Sequence, residues 1–130
     1  MTFPITSLYA LPLILIFLVL FFRVVARRGA VNASIGDAGD TTLHERIRHH
    51  GNFVEIVPFA LILMLLAEAS AANSVALHTA GGFLVLGRLL HPLGLRADTA
   101  AHPLRIAGNS LSILAVVILG VLIAMARFSA

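Results

Sequence analysis

Apolar residues run along this chain in four long blocks, near Phe3–Ala26, Phe53–Ala72, Ser74–Leu90 and Ile106–Met125. Each is close to the ~20 residues that a helix needs to cross the hydrocarbon of a bilayer. The pattern predicts an all-α integral membrane protein: one four-transmembrane-helix bundle over residues 1–130, with helices near 3–26, 46–72, 74–94 and 104–127. The segment GAVNASIGDAGDTT is rich in glycine and small polar residues and reads as an irregular first loop. Thr42, with Glu45 three residues on, resembles a capping box that would start the second helix near Leu43, a few turns outside the bilayer. Pro58 sits inside that helix, where its ring removes the hydrogen bond to residue 54 and loosens the backbone.

The arginines orient the bundle. None precedes the first block, whereas Arg23, Arg27 and Arg28 follow it, so a cleaved leader is not expected. Arg46, Arg48, Arg88, Arg96 and Arg105 flank the other ends on that same side, and Arg127 alone lies opposite. Cytoplasmic loops carry the excess of basic residues, which places both termini outside and the first and third loops in the cytoplasm.

Composition narrows the chemistry. The chain is 59% hydrophobic and 12% charged, too apolar for a soluble domain of 130 residues. The net charge of +3 comes without lysine, and the arginines form no stripe on a soluble face, so nucleic acid is not an expected partner. There is no cysteine, which excludes disulfides, iron–sulfur clusters and a thiol nucleophile from the protein. Any thiol chemistry must therefore use a substrate's sulfur. No metal site is expected either. His44-Glu45 would need a second histidine at position 48, where Arg48 stands, and histidines 44, 49 and 50 lack the spacing of a helical metal pair.

Polar residues at the mouth of an apolar helix are costly, ~2.5–3.5 kcal/mol for a charge at the helix centre, and so have a partner or a task. Arg48, Asn52 and Glu55 recur at i, i+4 and i+7 and fall within about 60° of one another on one helix face. A guanidinium, an amide and a carboxylate so arranged can hold a zwitterion: Arg48 takes a carboxylate, Glu55 an ammonium, and Asn52 either. The alternative is an Arg–Glu pair that only pins two helices. Arg88 and His91 share a face at i, i+3 near the end of the third block, where His91 serves either packing or a ligand. Arg105 opens the fourth helix with Gly108, Asn109 and Ser112 on one face, and snorkelling to water is its alternative role. The pattern R-x-x-G-N occurs twice, at Arg48–Asn52 and Arg105–Asn109. It is either an echo of two related hairpins or a coincidence of glycines used for close packing.

The run R-x-x-x-N-x-x-E-x-x-P (Arg48, Asn52, Glu55, Pro58), followed by G-R-x-x-H ending at His91, resembles the MAPEG family, the membrane-associated proteins of eicosanoid and glutathione metabolism. IRHHGNFVEIVPFALILML and LVLGRLLHPLGL look most like its small bacterial branch, and the similarity covers nearly the whole chain. The resemblance implies a homotrimer of four-helix subunits with glutathione at the seams near the cytoplasmic side. It implies glutathione contacts from Arg48, Asn52, Glu55 and His91, and from Arg27 or Arg28 of a neighbouring subunit, with Arg105 as the catalytic residue that stabilises the thiolate. Glutathione would be a co-substrate attacking lipophilic electrophiles that arrive through the membrane lipids, with hydroperoxide reduction as an additional activity. Gly51, Ile56, Leu95 and Ile106 depart from the eicosanoid enzymes, at positions where those have arginine, tyrosine, tyrosine and serine. Two other readings compete: a membrane scaffold or ligand binder without turnover, and a small multidrug-type transporter. The latter would carry an embedded acid in its first span, and none is present.

Overall fold

The computed structural model describes residues 2–128 as four α-helices. They are α1 (Pro4–Val31), α2 (Thr41–Ala69), α3 (Ser74–Gly94) and α4 (Pro103–Phe128). Three of them, α1, α2 and α4, are long and apolar enough to cross a membrane. The 21-residue α3 falls outside that criterion, because His78, Arg88, His91 and four glycines dilute its apolar residues. It is nonetheless packed along α4, and its buried residues Leu77, Ala80 and Leu84 join Ala60, Met64 and Ala115 in one core. Large apolar side chains such as Leu11, Leu15, Phe22 and Val121 lie outside that core, exposed. Such an apolar exterior suits a lipid solvent.

The bundle is tightest between α3 and α4. A Cβ on Gly87 would lie 2.6 Å from the Gly108 carbonyl, one on Gly108 2.6 Å from the His91 nitrogen, and one on Gly94 would collide with the Arg105 nitrogen. Small residues let the two backbones approach this closely, so 87 faces 112, 91 faces 108 and 94 faces 105 in one antiparallel register. That register brings His91 and Arg105, fourteen positions apart, to the same end of the bundle. It also sets apart the two glycines of the repeated R-x-x-G-N. Gly108 is a packing glycine against backbone, whereas a Cβ on Gly51 would meet only side-chain atoms of Arg48 and Glu55, at 3.6 and 4.0 Å. The two glycines are not equivalent.

The start of α2 differs from the expected capping box. The helix begins at Thr41, and Asp40 is its N-cap, with Asp40 Oδ1 accepting from the Leu43 amide at 2.6 Å. Asp40 displaces Thr42 because it serves two purposes: its carboxylate also takes the Arg27 guanidinium in a two-bonded fork, Nε at 3.0 Å and Nη2 at 2.6 Å. These contacts, the Arg27 bonds first, hold the Asp40 carboxyl below the ordinary carboxylate range. Asp37 is lowered too, chiefly by the Gly39 amide and then by His44. Glu45, freed from capping, reaches across to accept from the Ala97 amide at 2.7 Å, and the His49 ring donates Nε2–H to the Leu95 carbonyl, also 2.7 Å. The loop between α3 and α4 is thereby tied to α2.

At the opposite end, α1 has no side-chain cap of its own at Phe3. Glu68 of α2 supplies it, accepting from the amides of Ile5 and Thr6 at 2.8 Å each and from the Thr6 hydroxyl at 2.6 Å. A carboxylate on the orphan amides of a helix start also meets the positive end of the helix dipole. Glu68→Ala is expected to lower bundle stability by about 1–2 kcal/mol, the upper range for loss of a cap. Unfolding of the full chain in mixed micelles measures it, and unchanged stability would show that solvent caps α1 equally well.

Candidate binding cavity at the arginine-rich end

Arg88 organises the site. It is 2% exposed, yet among the described residues no carboxylate pairs with it. Its donors go instead to three neutral oxygens: Nη1 to Asn52 Oδ1 (2.7 Å), Nε to Ser112 Oγ (2.9 Å) and Nη2 to the Gly108 carbonyl (3.3 Å). One guanidinium on α3 thus clamps α2 and α4 together. A guanidinium has donors only, so the oxygen of the Asn52 amide must face it. The Asn52 nitrogen, not engaged by this clamp, remains a donor.

Next to this clamp is a cavity of about 340 Å³ lined by Asn52, His91, Ala100, Arg105, Ile106, Asn109 and Ser110. Among the described residues no carboxylate lines it. Arg105 uses one donor, Nη1, on the Ala100 carbonyl at 2.9 Å, which leaves most of its fork unoccupied. Arg88 behind the wall adds a second positive charge. A small polar cavity with two guanidinium groups beside it and an amide donor in its wall favours an anion.

The residues expected at the site divide into three groups. Asn52, His91 and Arg105 line one cavity. Arg48 and Glu55 lie on the same face of α2 as Asn52 but outside the cavity, paired at 3.6 Å with side chains 50% and 56% exposed. Arg27 and Arg28 are at neither place. Arg27 holds Asp40, and Arg28 donates to the carbonyls of Ala33 (3.3 Å) and Gly36 (2.9 Å), so within one chain both brace the first loop. Arg88 is the residue whose importance the linear pattern understates. An arginine between Gly87 and Leu89 reads as the flank of a loop, whereas helix α3 continues six residues beyond it and buries it. The signal was present: an ionisable residue inside an apolar helix marks a buried partner set.

Comparison with known proteins agrees with this architecture. The family model described as "MAPEG family" matches residues 6–125. The inner membrane protein YecN of Escherichia coli strain K12 is 38% identical over 90 residues, 69% of each chain, and the same protein of strain O6:H1 matches equally. No solved structure matches at a significant level.

Proposed function

The chain belongs to the MAPEG family, and from that premise we propose that it is a membrane-bound glutathione transferase, activating the glutathione thiol for attack on lipophilic electrophiles. The cavity beside Arg88 is the observation that carries this reading: it has donors, two nearby guanidinium groups and, among the described residues, no carboxylate, which suits a bound thiolate. A free thiol has a pKa near 8.5, so only a few per cent is ionised at pH 7. Arg105 is the catalytic residue. Lowering the thiol's pKa by ~2 units corresponds to ~2.7 kcal/mol of preference for the anion, well within what a partly desolvated guanidinium supplies. The thiol proton leaves to solvent, the sulfur lone pair forms the new C–S bond, and the electrophile's leaving group departs with the electron pair of the carbon bond it gives up.

The ligand's other groups fall to the α2 face. Arg48 takes a glutathione carboxylate and Glu55 its ammonium, each exchanging the long 3.6 Å contact with the other for a shorter bond to the peptide. A half-exposed ion pair on a helix entering hydrocarbon is unfavourable facing lipid, which supports a homotrimer whose seams cover it. Arg27 or Arg28 of a neighbour would then reach the ligand, once released from the first loop. The E. coli relatives are inner membrane proteins by name, and the arginine asymmetry supports the same membrane here, with both termini outside and the site at the cytoplasmic face.

Calorimetry with glutathione and a conjugation assay on the purified full chain test the reading. Micromolar-to-millimolar binding with turnover supports it, binding without turnover makes the protein a glutathione binder, and no binding overturns it. Glu55→Gln keeps shape and removes charge, so affinity is expected to fall by about 1.5–3 kcal/mol, the range for hydrogen bonds to charged groups. Unchanged affinity returns Glu55 to a purely structural pair with Arg48. Cross-linking in mild detergent should capture trimers, and capture limited to monomers and dimers counts against the seam.

A further inference from the structure

The seam between α1 and α3 forms a groove that the thiol chemistry does not use. Its wider part, about 610 Å³, is almost wholly apolar, with Leu8, Leu11 and Leu15 on one side and Val85, Leu86 and Leu89 on the other. A narrower part, about 260 Å³, continues past Leu15 and Leu89 to Arg23, Pro92 and Leu93. The shared residues make one groove from Tyr9 to Arg23, about 21 Å at 1.5 Å per residue. That exceeds half of the ~30 Å hydrocarbon core, so a chain entering at the arginine end has room for its whole depth in one leaflet.

The two ends of the groove differ in chemistry. At one, the Tyr9 hydroxyl is already paired with His78 Nδ1 at 3.1 Å. At the other is the exposed side chain of Arg23. Arg27, Arg48 and Arg96 each face a carboxylate, and Arg46 donates to the Arg23 carbonyl at 2.9 Å. The Arg23 guanidinium itself has no ion pair among the described residues. An unpaired cation at the mouth of a hydrocarbon groove complements an anionic amphiphile, as basic pockets between membrane helices do for acidic head groups.

We propose that the α1–α3 groove binds an anionic phospholipid of the surrounding bilayer, its acyl chain laid between the helices and its phosphate on Arg23. The groove shares Arg88 with the clamp beside the thiol cavity, but its anion contact, Arg23, lies outside that cavity, so the proposal is tested independently of the thiol chemistry.

Native mass spectrometry of the full chain, released from micelles with phosphatidylglycerol or phosphatidylcholine of identical chains, tests this. Phosphatidylglycerol should be retained in preference to phosphatidylcholine. Arg23→Gln should weaken its retention about five-fold, the effect of one basic contact, while Arg127→Gln, the same charge change at the far end, should leave it unaltered. Gly82→Leu fills the groove where an added Cβ meets nothing within 4 Å, so the fold tolerates it and both lipids should be lost together. Equal retention of the two lipids overturns the proposal, and so do equal losses from Arg23→Gln and Arg127→Gln, which would reflect net charge alone. A changed oligomeric state in Gly82→Leu with lipid retention intact assigns the groove to a neighbouring copy instead.

Discussion

Arg105→Leu is expected to leave glutathione bound but no longer ionised. In the proposed binding mode the peptide's carboxylate and ammonium keep their anchors on Arg48 and Glu55, while the cavity loses the unoccupied part of the Arg105 fork. The bound thiol then returns toward its solution pKa. For a shift of ~2 units, the thiolate fraction at pH 7 falls from about three quarters to about 3%, and conjugation falls roughly twenty-five-fold with it. Raising the pH should recover most of that loss, and the thiolate absorbance should follow the same curve. Arg105→Lys should be intermediate, because it restores charge without the planar fork that fixes direction. Loss of binding with an intact bundle would make Arg105 a carboxylate anchor and move the activating role elsewhere. If binding and rate are both unchanged, Arg105 does no more than snorkel beside the Ala100 carbonyl.

How far the sequence foretold this arrangement differs from residue to residue. The four helices were legible because apolar blocks near bilayer length admit little else. The α2 face was legible because helical spacing alone sets Arg48, Asn52 and Glu55 together. The cap of α2 was not, since Thr42 and Glu45 fit a local rule while Asp40 was selected by Arg27 and Glu45 by the Ala97 amide, partners 13 and 52 residues distant. The convergence of His91 and Arg105 depends on the α3–α4 register, which is fixed by Gly87, Gly94 and Gly108 acting in pairs. One-dimensional periodicity registers a glycine as a break or a turn and cannot show which backbone it admits. The same limit hid Arg88, whose three acceptors come from two other helices.

Arg88→Met is expected to uncouple Asn52 from the site while the bundle still folds. Methionine restores the volume of the stem and removes a desolvated charge, a change that is often close to neutral when the replacement packs well. Ser112 and Gly108 keep each other, because the Ser112 hydroxyl already donates to the Gly108 carbonyl at 2.9 Å. Asn52 has no such reserve. Its half-buried Oδ1 is left without the donor that held it, at about 1 kcal/mol, the low end for an unsatisfied acceptor because water in the cavity can reach it. Stability should therefore fall by that amount and no more, measured by unfolding in micelles. Glutathione affinity should fall about tenfold, because the Asn52 side chain, which lines the cavity, is no longer held by Arg88. Arg88→Lys should give little rescue, since one ammonium cannot span oxygens on α2 and α4 with the geometry of a guanidinium. A double-mutant cycle makes the positioning role distinct from simple electrostatics. If Arg88 acts through Asn52, then Arg88→Met made in the Asn52→Ala background should cost almost no further affinity. Additive losses would mean instead that the buried charge draws the anion directly, across the wall of the cavity, and that Asn52 contributes on its own account.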